Sequence, residues 1–165
     1  MAIRWAESWG RSTTAADFDG DYLWASGAGV TVADGPPEEA CSTLGEKTPC
    51  FIESLDGEKG KALYASVKAG NRVTGTHVSG DKAADQIMDI IEKASAEAGM
   101  TLEEIRAKSH AIDHCRMYPR PDQIERAKKL NVIWNCAANT IDGNAQMFAD
   151  KFGVDFAYEL HPGED

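Results

Sequence analysis

Strand-like stretches alternate at short spacing with stretches of helical periodicity, which places this chain in the α/β class as a series of parallel β/α units. Two observations carry that reading. Strand-like runs recur at 29–33, 72–77, 109–114 and 132–136, the first of them β-branched and bounded by Gly and by Asp-Gly-Pro-Pro. Between them, apolar residues fall on one face at i, i+3, i+4 and i+7.

The elements follow in order. Residues 1–20 are rich in Ser, Thr, Gly and Asp without a sustained period, so an irregular N-terminal segment is expected there, ahead of one domain over 21–165. Asp21–Gly27 reads as a short extended segment, and Gly29–Ala33 (GVTVA) as a better strand, stopped by Asp34-Gly35-Pro36-Pro37. Pro36 to Gly60 forms a long polar connection, a length usually reserved for functional loops. Lys61–Ala69 has helical spacing and stops at Gly70-Asn71.

From there the alternation is regular. Arg72–His77 (RVTGTH) is a strand. Lys82–Ala98 is the strongest helix, with Ile87, Ile90, Ile91 and Ala94 in one stripe and Gly99 as its stop. Thr101 and Glu104 fit a capping box that opens a short helix. Ser109–His114 is a strand, and Pro121–Leu130 a helix with Pro in its first turn, basic residues in its last, and Asn131 after it. Val132–Cys136 is a further strand; Gly143–Phe152 is a final helix closed by Gly153.

Composition narrows the function. The chain has 165 residues, 42% hydrophobic and 27% charged, with a formal net charge of −10. Such a surface repels phosphate backbones and anionic lipid, which argues against nucleic-acid and membrane partners and implies solubility more than any partner. No apolar run approaches the roughly 20 residues of a membrane span, and Met1–Trp5 lacks the apolar stretch of a signal peptide. A cytoplasmic setting is expected. None of the four cysteines, Cys41, Cys50, Cys115 and Cys136, forms a C-x-x-C pair, so reduced thiols are expected, with a Cys41–Cys50 disulfide as the alternative.

Ligands of parallel β/α sheets bind at the carboxyl ends of strands. His77 and His114 end consecutive strands, and neighbouring strands lie about 4.8 Å apart, so two imidazoles can converge on one metal ion. A lone His at a strand end is more often a hydrogen-bonded core residue; the pairing is what raises the metal reading. Catalytic zinc takes about three protein ligands and activates water in the remaining position. Asp113, adjacent to His114, alternates to the opposite face. Asp81 is read as the N-cap of the long helix or as a catalytic carboxylate, and His110 as a strand-start residue with a satisfied hydrogen bond or a residue orienting the reaction. No G-x-G-x-x-G or G-x-x-x-x-G-K-[ST] run supports a phosphate-binding flavodoxin-like alternative.

The run Gly75-Thr76-His77-Val78-Ser79-Gly80-Asp81-Lys82-Ala83 resembles the "vHaiGDrA" signature of the YtcJ-like branch (amidohydrolase family 3) of the amidohydrolase superfamily. Ser109–Cys115 (SHAIDHC) resembles its "rHriEHaq" signature, Pro121–Ile133 its "p.di.R...LGV" helix and strand, and Gly29–Gly35 its "GvKlfaDG" strand. The resemblance runs from about Asp21 to Asn139.

It implies part of a TIM-type (β/α)8 barrel, whose full form needs about 250 residues. It also implies a metal-dependent hydrolase of amide- or formamide-type C–N bonds in a small-molecule substrate, using a divalent metal, zinc, held by His77 and His114, with His110, Asp113 and Asp81 as catalytic or orienting residues. The family's strand-one His-x-His pair and strand-eight Asp have no counterpart; the tail His161–Asp165 does not supply the latter, and Thr31 stands where relatives carry a carboxylated Lys. Those departures keep open a non-catalytic β/α binding or oligomerisation module. Flanking strands of a partial barrel would expose backbone edges, so self-association, or a complementing barrel segment, is expected. The Pro36–Gly60 loop, with Trp24 lining it, is the expected substrate contact.

Overall fold

A computed structural model describes residues 3–8, 23–29, 33–34, 40–43, 57–114, 119–136, 146, 149–150 and 153–154. Its elements are β1 (Ile3–Ser8), β2 (Leu23–Gly29), α1 (Glu58–Lys68), β3 (Thr76–His77), α2 (Asp81–Glu97), α3 (Leu102–Lys108), β4 (Ala111–His114), α4 (Pro121–Leu130) and β5 (Ile133–Cys136). The chain is α/β, with β3, β4 and β5 forming a parallel sheet in that order.

β1 and β2 pair in parallel, with a register shift between Trp5 and Ala6. This corrects the irregular segment expected over 1–20: Ile3-Arg4-Trp5-Ala6 alternates apolar and polar side chains with period two, a strand signal that the surrounding Ser and Gly obscure. Of the expected 29–33 strand, residues 30–32 lie outside the described residues. Ala33 donates its amide to the His77 carbonyl at 2.8 Å, so the chain at 33 runs beside β3.

The helices bury one stripe each. α2 contributes Ala83, Ala84, Ile87, Met88, Ile90, Ile91 and Ala94 to the core, against Leu63 and Val67 of α1, Ile105 of α3, Ala127 and Leu130 of α4, and Ile112 of β4. α1 begins at Glu58, three residues earlier than expected, after the N-cap Gly57 and with Gly60 buried within its first turn. β3 is shorter than expected: the left-handed backbone of Gly75 (φ 65°) separates the Thr76–His77 ladder from Val73, whose carbonyl still accepts the Ala111 amide. The capping box of Thr101 and Glu104 forms as expected. α4 has the expected bounds, with Pro121 in its first turn and left-handed Asn131 (φ 57°) after its end. The expected 143–152 helix is described at 146, 149 and 150, all helical, and the Gly153 amide closes onto the Ala149 carbonyl.

A second ladder binds α4 to α2. Arg120 and Arg126 face Asp81, Asp85, Asp89 and Glu92, a stripe at i, i+4, i+8 and i+11 along α2. Gln123, fully buried, donates to the Asp81 carbonyl and to Asp85 Oδ1, both at 2.8 Å. These bonds fix the N-terminus of α4 against that of α2.

Cys41 and Cys136 are both disulfide-bonded, which corrects the expectation of reduced thiols. Cys50 and Cys115 lie outside the described residues. No helix among the described residues is long and apolar enough to cross a membrane.

Candidate functional site

The parallel sheet brings the ends of β3 and β4 side by side. In register, His77 lies opposite Asp113, and Asp113 opposite Asn135. Strict alternation would then send the next residue, His114, to the other face. It does not stay there. The His114 backbone is left-handed (φ 74°), and its ring lies against that of His77 with centroids 3.9 Å apart and planes tilted by 31°. A non-glycine residue rarely adopts this φ, and such strain concentrates at functional sites.

Asp113 sits between these histidines in register but is turned to the neighbouring strand. Its Oδ1 accepts from Asn135 Nδ2 at 2.9 Å, and its carbonyl accepts the Val78 amide at 3.0 Å. The carboxylate is half-buried rather than enclosed between sheet and helices.

Asp81 is not the N-cap expected of it. Gly80 holds that position, and Asp81 is the first helical residue. The capping acceptor is instead the Cys41 carbonyl, which receives the amides of Lys82 (3.0 Å) and Ala83 (3.3 Å). A Cβ on Gly80 would overlap the Cys41 backbone, so only glycine lets that carbonyl approach. The freed Asp81 carboxylate accepts from the Thr43 amide (2.9 Å), Thr43 Oγ1 (2.6 Å) and Arg120. Burial pushes its pKa up, but those hydrogen bonds outweigh it and hold the carboxyl below the usual range.

His110 lies at the opposite end of β4. Four residue steps separate it from His114, about 13 Å at about 3.3 Å per step. It is buried, and its Nδ1 accepts the Val73 amide at 2.9 Å. Burial, then the charges of Arg72 and Lys108, push its pKa down to about 4, so it is neutral with the proton on Nε2. The structure therefore separates His110 from the His77–His114 pair, and its hydrogen bond joins the approach to β3 to the start of β4.

Two groups at the histidine end escape the sequence reading. Asp34 is fully buried and accepts three amides: Ser79 (2.6 Å) on Oδ1, and Gly80 (2.7 Å) and Cys41 (3.0 Å) on Oδ2. Burial raises its pKa against the pull of those bonds. Arg120 ties Asp81, Asp85 and Asp122 together, and the hydrogen bonds it donates, to Asp122 first and then to Asp85 and Asp81, raise its own pKa further against burial. Asp34 is signalled by an Asp-Gly pair at a strand end, within the Gly29–Gly35 run that resembles "GvKlfaDG", but not by any sign of its role; Arg120 is marked only by its place before Pro121.

Of the long 36–60 connection, residues 40–43 and 57–60 are described, the latter entering α1. Ala40, Cys41 and Ser42 are buried, so the 40–43 part packs against the sheet end. β2 contains Trp24, described by its backbone alone. Thr31 and the tail from 155 lie outside the described residues.

The donor set suits a divalent metal in part. Two imidazoles in ring contact at adjacent strand ends supply two of the roughly three protein ligands such an ion takes. Among the described residues, no group of three or more His, Cys, Asp or Glu side chains is arranged to hold a metal.

Neither a protein-family model nor a curated protein matches the chain. Two solved structures are similar to it. One is the crystal structure of an uncharacterized metal-dependent hydrolase from Pyrococcus horikoshii OT3, with a TM-score of 0.63 and 21% identity over 87% of this chain and 28% of that one. The other is an uncharacterized metal-dependent hydrolase from Pyrococcus furiosus, with a TM-score of 0.57 and 22% identity over 84% of this chain and 28% of that one. The chain thus spans about 28% of the length of either structure. At such identity the likeness is one of fold: this chain has the fold of a segment of those metal-dependent hydrolases.

Proposed function

We propose that this chain is the histidine-bearing segment of a metal-dependent amidohydrolase on a TIM-type (β/α)8 barrel, resembling the YtcJ-like branch and acting on an amide- or formamide-type C–N bond of a small molecule. The observation that carries this is the contact of the His77 and His114 rings at the ends of adjacent parallel strands. The likeness of fold to metal-dependent hydrolases supports it, as do the two histidine motifs.

In this reading His77 and His114 hold the divalent metal, zinc. When bound, the metal supplies a Lewis acid that polarises a carbonyl and activates water. Asp113, fixed by Asn135, sets the sheet end beside His77. Asp81, ionised and bound to Thr43 and Arg120, seats residues 40–43 over the start of α2. His110 has no part in the chemistry; it staples β4 to Val73.

The test is zinc content by elemental analysis after dialysis, followed by release of amine from a panel of amides and formamides with zinc present. We expect zinc in the wild-type protein, its loss in His77→Ala, and hydrolysis by the zinc-loaded protein. A protein that holds no zinc contradicts the reading.

A second reading is a non-catalytic β/α module, favoured by the lack of a third ligand among the described residues. Zinc retention without turnover of any substrate would select it. In either case β5, at the edge of the described sheet with Ile133 45% exposed, is where we place a second copy or a complementing barrel segment. Light scattering at increasing protein concentration tests the former; a monomer at all concentrations counts against it.

A further inference from the structure

Metal ligands on strand ends are only as well placed as the loops that follow them, because a free loop lets the last strand residue fray. The segment after His77 is Val78-Ser79-Gly80, which must turn from strand into helix within three residues. Its backbone is gripped from one side by the dipeptide Ala33-Asp34. The Ala33 amide donates to the His77 carbonyl at 2.8 Å. The Asp34 carboxylate takes the next free amides, Ser79 at 2.6 Å and Gly80 at 2.7 Å. From the other side the Asp113 carbonyl takes the Val78 amide at 3.0 Å. Every backbone amide from 78 to 80 thus has a fixed partner, and two of the three belong to one buried side chain.

A buried carboxylate is costly unless well satisfied, so its presence in a wholly enclosed position needs a return. Asp34 also holds the Cys41 amide at 3.0 Å, and the Cys41 carbonyl caps α2. One side chain therefore joins three pieces of chain that are remote in sequence: 33–34, 40–43 and 77–83.

We propose that Asp34 is a positioning residue for the His77–His114 site: its carboxylate fixes the turn after β3 and thereby holds the His77 ring in place. This rests on the metal-binding reading above and adds to it a residue that touches neither the ion nor substrate. Loss of a partner that orients a ligand typically weakens metal affinity by about 10- to 100-fold. Asp34 acts through backbone, so the lower end of that range is expected.

The experiment compares cobalt(II) binding, followed by its visible absorption, in wild type, Asp34→Asn and the remote core variant Val67→Ala. The asparagine keeps the shape but turns an NH2 group toward at least one of the three amides. Asp34→Asn is expected to bind cobalt about tenfold more weakly and with an altered spectrum. Val67→Ala loses stability yet keeps wild-type affinity and spectrum. Equal affinity and spectrum in Asp34→Asn overturn the proposal, as does an equal loss in Val67→Ala.

Hydrogen exchange on the wild-type protein gives the same answer without a variant, should Asp34→Asn not fold. Coupling is reciprocal, so metal must slow exchange of the Ser79 and Gly80 amides. Unchanged exchange at those amides with metal bound overturns the proposal. Failure of the wild-type protein to bind cobalt or zinc at all is a different result, and removes the metal-binding reading itself.

Discussion

His110 immediately precedes the four-residue strand β4 and His114 ends it, and their surroundings make them different residues. His110 is buried and neutral, with Nδ1 satisfied by Val73 and the cations Arg72 and Lys108 nearby. His114 is exposed, sits on a left-handed backbone, and turns its ring onto His77. The first strengthens the fold, while the second draws on it. In a parallel β/α sheet the carboxyl ends of the strands face the ligand, and the amino ends are free to be optimised for packing.

The comparison can be broken at either end. The largest effect is expected from His110→Ala, which leaves a cavity and strips the buried Val73 amide of its acceptor. A loss of about 4 kcal/mol is expected in urea unfolding, with cobalt affinity of the folded protein unchanged. A variant that loses metal while keeping its stability would reverse the assignment of the two histidines.

Acid comes next. His110 has a folded pKa of about 4 against the ordinary 6.5. The unfolded chain therefore binds the proton first, and stability is lost as pH falls from about 6.5 to about 4. The ceiling is about 3 kcal/mol. Asp34, whose pKa is raised, acts with the opposite sign, and Asp81, whose pKa is lowered, loses its contribution only in more acid solution. Subtracting the same profile for His110→Gln isolates the histidine. Parallel profiles would show that His110 titrates normally.

Arg120→Ala should cost about 2 kcal/mol, less than a fully buried pair, because Asp81 keeps its Thr43 bonds and the guanidinium is partly solvated. The loss should be greater at pH 7 than in strongly acid solution, where Asp81 takes up its proton. A pH-independent loss would argue that Arg120 acts by packing alone.

The smallest effect has the opposite sign. His114→Gly removes the side chain from a left-handed position and should stabilise the protein by about 1 kcal/mol, while metal binding is lost. Gain of stability with loss of metal is the signature of a residue held for function. If His114→Gly destabilises the chain, the left-handed backbone is not a strain that the ring contact sustains.

Much of this was legible from the residues alone. The Ile87, Ile90, Ile91 and Ala94 stripe, the Thr101–Glu104 box, and Pro121 with Asn131 mark their helices by local chemistry, and the structure keeps those elements within a residue or so. The proximity of His77 and His114 followed from consecutive parallel strands. What escaped depends on contacts between remote positions. The partners of Asp34 lie 7, 45 and 46 residues away, and that of Asp81 on Arg120 lies 39 away. No local pattern announces that a carbonyl at Cys41 caps a helix at Asp81, or that glycine at 80 makes room for it. The reversal at His114 was hidden for a similar reason: alternation places its ring on the wrong face, and only its own positive φ restores it.

X-ray absorption on the zinc-loaded protein tests the central claim most directly, because it reads the atoms around the ion rather than the consequences of binding. The account predicts imidazole scattering from two histidines in the wild-type protein, and from one in either His77→Ala or His114→Ala. Zinc surrounded by oxygen alone, or a spectrum that neither substitution alters, would contradict it.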